Sequence, residues 1–178
     1  ILGYVPKSGG DALAGRLLVV PIKQGDGIST LELIDESGCK TALAGRGSKV
    51  GGYWATERLP DGDGPEPLQF CEGVATTLSA KEATGAISIA TLSAGNMPAV
   101  AKIIRKRYPT RPFVFCADLV KATGEPDPHA IEAARSVGGK LAIPDFEGDR
   151  PEAATDVNDM AAWCGPEAVA RAIANASA

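Results

Sequence analysis

The sequence predicts an α/β protein, in which a mostly parallel sheet of about four strands is flanked by helices and preceded by a small antiparallel β unit. Three observations lead there. Residues 15–54 carry short apolar runs broken by turn residues. After Pro67, apolar runs of strand length alternate with segments of helical periodicity. Between these regions lies "ERLPDGDGPEP", residues 57–67, whose proline, glycine and acid read as a linker or an exposed loop. The expected division is 1–66 for the β subdomain with its linker and 67–178 for the parallel-sheet domain.

In the first region the strands are "RLLVVPIK", "STLELID" and "CKTALA", separated by "QGDG" and "ESG". In the second they are "LQFC" (68–71), "AISIATL" (86–92), "FVFCA" (113–117) and "KLAIP" (140–144). A helix follows the first of these directly. In the next, Met97, Val100, Ala101, Ile104 and Tyr108 share one face, with Asn96 placed to cap it and Pro98 tolerated in the first turn. The helix around "PHAIEAARSVGG" ends on Gly138 and Gly139, and a terminal helix starts at Pro166. Strand-helix alternation of this kind implies parallel pairing, because parallel strands need crossover connections.

Composition narrows the functional classes. With 44% hydrophobic and 22% charged residues, the chain has the make-up of a globular protein, and runs such as "LLVVPI" are far shorter than the roughly 20 residues a membrane span needs. The start at Ile1, without the pattern of a secretory signal, reads as a fragment. Cys39, Cys71, Cys116 and Cys164 form no C-x-x-C pair, which argues against a zinc ribbon and favours reduced thiols in the cytoplasm. A net charge of −4 gives no general attraction to nucleic acid, so such a partner must be held by a local basic patch or through a metal ion.

The informative residues are acids at strand ends. In an open parallel sheet, ligands bind beyond the carboxyl ends of the strands. Glu72 ends the first such strand and is followed by Gly73, Asp118 ends the third, and Asp145 and "ATDVND", with Asp156 and Asp159, come after the fourth. Oxygen ligands without His or Cys suit Mg²⁺ or Mn²⁺, which retain waters and grip phosphates. Taken singly, an acid at a strand end is more often solvated or a helix cap.

"FCEGVATTLSAKEATG", "LSAGNMPAVAKIIRKRYP", "FVFCAD", "AARSVGGKLAIPDF" and "ATDVNDM" together resemble the toprim (topoisomerase-primase) domain of plasmid- and phage-borne DNA primases, relatives of the bacterial DnaG type. The resemblance covers about residues 66–175, with the preceding β unit as its usual companion. It implies a toprim-type sheet, a catalytic glutamate at Glu72, metal ligands at Asp118 and Asp156, and primer synthesis from nucleoside triphosphates on a single-stranded DNA template. It also implies that a zinc-binding or helicase domain can flank this core. The pattern departs at the second motif. Where Asp-x-Asp is expected, the chain reads Asp118-Leu119-Val120, followed by Lys121. Either Asp127 or Asp145 substitutes as ligand, or the domain binds nucleic acid without catalysis; a toprim nuclease is a further alternative.

Other segments carry weaker signals. "AGRGSKVGGYW" (44–54) offers Arg46, Lys49 and Tyr53 to phosphates and bases, or is simply a glycine-rich β turn. "SAGN" (93–96), including Asn96, either cradles a phosphate or forms a plain loop. Lys102, Arg105, Lys106, Arg107 and Arg111 read mainly as a solvated helix face, and His129, the sole histidine, as a surface residue.

Overall fold

The computed structural model describes residues 3–4, 13–43, 47–148 and 150–178. The chain divides into two units, Ile1–Trp54 and Ala55–Ala178. In the first, β1 (Gly3–Tyr4) pairs antiparallel with β2 (Leu13–Ala14). A second antiparallel sheet joins β3 (Leu18–Gln24), β4 (Gly27–Ile34) and β5 (Lys40–Ala42) in that order. Leu13, Leu17 and Leu33 form its small core.

The glycines of segment 47–52 have internal reasons. A Cβ on Gly47, at φ +119°, would stand 2.1 Å from the Ser29 carbonyl oxygen, and one on Gly52 would stand 2.7 Å from Ile22 Cγ2. The Gly52 N–H closes a turn on the Lys49 carbonyl at 2.8 Å. Close approach to β3 and β4 therefore explains Gly47 and Gly52 without a ligand.

The second unit is built on a sheet of order β10-β9-β7-β8-β6. Its members are β6 (Trp54–Ala55), β7 (Leu68–Cys71), β8 (Ile87–Ala90), β9 (Phe113–Cys116) and β10 (Lys140–Ala142). β7 lies parallel to both β8 and β9, and β10 lies parallel to β9, as the crossover argument requires. The crossovers are α1 (Val74–Thr84), α2 (Met97–Arg107) and α3 (Pro128–Val137), followed by α4 (Val157–Cys164) and α5 (Pro166–Ala174).

Strand alternation sorts the core into two layers. Phe70, Phe113 and Phe115 face α2 and α3, with the Phe70 and Phe115 rings stacked at 4.7 Å and the Arg105 guanidinium 3.7 Å above the Phe113 ring. Cys71, Val114 and Cys116 face the other way and pack with Met160, Val169 and Ile173 of α4 and α5. Gly138, at φ +62°, ends α3 in the left-handed conformation that favours glycine. Gly139 has a second reason, because its missing Cβ would stand 2.6 Å from the Phe115 ring.

Two expectations change here. Residues 55–66 group with the second unit, because the stretch read as a linker or an exposed loop is a mostly exposed loop bonded to the end of α2. Tyr108 Oη donates to the Pro60 carbonyl at 2.5 Å, Arg111 donates to the carbonyls of Gly62 and Glu66, and Asp63 Oδ2 accepts from both Thr110 N and Oγ1 at 2.7 Å. Arg105 and Arg111 are correspondingly not a solvated face: Arg105 donates to the carbonyls of Val137, Tyr108 and Arg111. Lys102 and Lys106 stay exposed.

Candidate active site

Parallel strands align their carboxyl ends, and that geometry gathers the candidate residues of the second unit. The register sets Phe70 beside Phe115, so Glu72 and Asp118 leave neighbouring strands within one residue of being level. Adjacent strands run about 4.8 Å apart.

Glu72 is half-buried, and its carboxylate makes no hydrogen bond or ion pair among the described residues. Its backbone is held firmly. The Glu72 carbonyl accepts from Leu92 N at 2.7 Å, and Thr91 N donates to the Cys71 carbonyl at 2.9 Å. Leu92 carries φ +69°, a left-handed conformation that costs a non-glycine residue roughly 1–2 kcal/mol. The Asn96 amide supports this strained bend by donating to the Thr91 carbonyl at 2.7 Å. Asn96 thus precedes α2 as expected but gives its end no side-chain cap, because the amide is turned to the strand instead.

After Glu72, α1 begins at once. A Cβ on Gly73 would meet only Thr76 Oγ1, at an ordinary 3.6 Å, and φ there is −99°. Neither packing nor backbone strain demands a glycine at this position.

Asp118 is half-buried, and its carbonyl accepts from Asp127 N at 2.8 Å, closing a loop that Val120 N and the Glu125 carbonyl hold at 2.8 Å. The Cys71 thiol is pushed well above its ordinary range, first by the hydrogen bond with Cys116 and by burial, with the nearby Asp118 adding a small part. Both thiols belong to the core, and all four cysteines are free.

The remaining acids have other work. Asp156 begins α4 in a reciprocal capping box: its Oδ1 accepts from Asn158 N and Asp159 N at 2.8 and 2.9 Å, while Asp159 Oδ2 accepts from Thr155 N at 2.7 Å. Asp156 Oδ2 accepts from Thr76 Oγ1 at 2.8 Å, so α4 is tied to the helix that follows Glu72. Asp127 caps α3 and also holds His129 Nδ1 at 3.0 Å, leaving that histidine exposed as expected. Asp145 is exposed, accepts from Glu147 N, and lines a cavity of about 280 Å³ against α5 with Leu141 and Arg171. Lys121 is exposed. Among the described residues, no three His, Cys, Asp or Glu side chains gather closely enough to hold an ion.

The candidates of the first unit are placed differently from the expectation. Lys49 is ion-paired with Glu32, whose side chain is only 2% exposed, so its ammonium is already neutralised. Tyr53 is buried and presents no ring face for stacking. Arg46 lies outside the described residues.

The fold has neighbours among solved primase structures. The chain superposes with a TM-score of 0.61 on a chain of the bacteriophage T7 lagging-strand DNA polymerase assembly with the primase domains of two gp4 subunits, over 90% of this chain and 78% of that one, at 13% identity. It superposes at 0.54 on the RNA polymerase domain of Mycobacterium tuberculosis primase DnaG, over 99% of this chain and 60% of that one, also at 13% identity. At such identities the likeness is one of fold. In sequence, the chain is 32% and 31% identical over 144 residues to two Escherichia coli proteins named DNA primase TraC. Each alignment covers 74% of this chain but only 13% and 10% of the respective relative. No protein-family model matches the chain. No helix among the described residues is long and apolar enough to cross a membrane.

Proposed function

We propose that the chain is the catalytic core of a toprim-type DNA primase, which joins nucleoside triphosphates into an RNA primer on a single-stranded DNA template. The observation that carries this reading is the pair Glu72 and Asp118 on neighbouring parallel strand ends. The fold shared with primase domains and the sequence likeness to DNA primase TraC support it.

Glu72 suits a proton-handling role, because its carboxylate is partly withdrawn from water and is not engaged by another side chain. Gly73 leaves the adjacent backbone open to a phosphate, which accounts for a glycine that packing does not require. Glu72 and Asp118 are hard oxygen donors, and Mg²⁺ is commonly held by one or two carboxylates together with substrate phosphates. The missing three-acid cage is therefore compatible with Mg²⁺ or Mn²⁺ arriving with the nucleotide. Held by Glu72 and Asp118, such an ion would supply charge stabilisation to the phosphoryl group undergoing transfer. Asp156 contributes by joining α4 to α1 behind Glu72.

A primer-synthesis assay with single-stranded template, nucleotides and Mg²⁺ or Mn²⁺ tests the proposal. Oligonucleotide products from the wild-type chain, lost in Glu72→Gln and in Asp118→Asn, are expected. Shortened template instead identifies a nuclease. Template retention without any products identifies a binding module, the outcome that Val120 favours.

A further inference from the structure

Arg150 lies against the turn that follows Asp118, and nothing in its local sequence marks it out. Its Nη2 donates to the Lys121 carbonyl at 3.5 Å and stands 3.9 Å from where a Cβ on Gly124 would be, so the guanidinium rests on the turn Val120–Gly124. That turn is closed by Gly124 N donating to the Val120 carbonyl at 2.7 Å. Leu119 N donates to the Thr155 carbonyl, also at 2.7 Å, which anchors the turn to the segment between Arg150 and α4.

Among the described residues, the guanidinium makes one hydrogen bond, at the outer limit of length, and its buried Nη1 has no partner. A guanidinium carries five N–H donors, and leaving charged donors without acceptors is costly. Lys121 places a second, exposed cation on the same turn. Both residues lie at the turn that begins at Val120, the position at which the resemblance calls for a carboxylate and the chain supplies an apolar side chain.

We infer that Arg150, with Lys121, binds the polyphosphate of the incoming nucleotide at the turn beside Asp118. The inference rests on the nucleotidyl-transfer reading. An apolar Val120 cannot anchor an ion to offset phosphate charge, whereas a guanidinium offsets it directly and matches two phosphate oxygens with its planar fork.

Calorimetric titration of the whole chain with ATP and with inorganic tripolyphosphate, in EDTA and then in Mg²⁺, tests the assignment. Arg150→Ala should weaken both ligands by about tenfold or more in EDTA, with Arg150→Lys in between, because Lys keeps the charge but loses the fork. Thermal melting verifies that the variants remain folded. Equal triphosphate affinity in wild type and Arg150→Ala overturns the assignment while leaving primer synthesis untouched. Weaker binding of single-stranded DNA with unchanged triphosphate binding also overturns it. Failure of the wild-type chain to bind any triphosphate, with or without Mg²⁺, overturns both this inference and the nucleotidyl-transfer reading.

Discussion

Replacing Asp156 with alanine removes three hydrogen-bond acceptor contacts at once. Two belong to the α4 cap, where Oδ1 takes the N–H groups of Asn158 and Asp159; the third is Oδ2 with the Thr76 hydroxyl. Loss of a side-chain N-cap costs about 1 kcal/mol. Thr76 is 3% exposed, so its hydroxyl is left without an acceptor and out of reach of water, which adds about 1–3 kcal/mol. The expected total is therefore about 2–4 kcal/mol. At about 2–4 °C per kcal/mol for a domain of this size, the melting temperature should fall by roughly 5–15 °C.

Asp156→Asn retains an oxygen for the cap and should lose roughly half as much. Thr76→Val breaks only the link between helices, and in its background Asp156→Ala should cost less than in the wild type, since the two residues share one bond. Thermal melts followed by circular dichroism in EDTA measure the four variants beside the wild type. A melting temperature for Asp156→Ala within about 2 °C of wild type refutes the reasoning. A loss that appears only with Mg²⁺ refutes it as well, because the carboxylate would then act through an ion and not through the cap.

Three further predictions follow from the same physics. Glu72→Gln should leave stability within about 0.5 kcal/mol of wild type, because the carboxylate has no partner to lose, while primer synthesis disappears; a large drop in melting temperature would reveal an internal bond. Gly139→Ala should destabilise by about 1–3 kcal/mol in chemical denaturation, since the new methyl meets the Phe115 ring and the Phe113 carbonyl, whereas the same change at Gly85 meets no neighbour and costs only the positive-φ penalty. Burial raises the Tyr108 hydroxyl's pKa, an effect partly offset by Arg107 and Arg111. A raised pKa contributes stability that is complete below the unfolded value of about 10 and fades as pH climbs through the folded one. Denaturation midpoints should accordingly fall above about pH 10 in wild type and fall less in Tyr108→Phe.

The parallel sheet was legible because each strand is short, apolar and followed by a segment of helical period. "LQFC" coincides with β7, and Pro128 and Gly138 bracket α3. The rim was legible for the same reason: once β7 and β9 are strands of a parallel sheet, Glu72 and Asp118 must leave it at the same end. The segment "TDVND" has a structural role that its composition alone did not show. Its acids suggested ion binding, yet they begin a helix, where a carboxylate spaced three residues from another satisfies both ends of a capping box.

What the sequence by itself determined was the order of strands and helices and the end of the sheet at which Glu72 and Asp118 emerge, since both follow from period, punctuation and chirality along the chain. The tertiary structure alone decided which charges are free to act. Lys49 is spent on Glu32, Arg105 and Arg111 on backbone carbonyls, and Asp156 on Thr76, while Glu72 has no partner among the described residues and Arg150 is only weakly held. Residue type states how many hydrogen bonds a group can make; only the folded chain brings distant donors and acceptors within about 3 Å of one another and so settles where those bonds go.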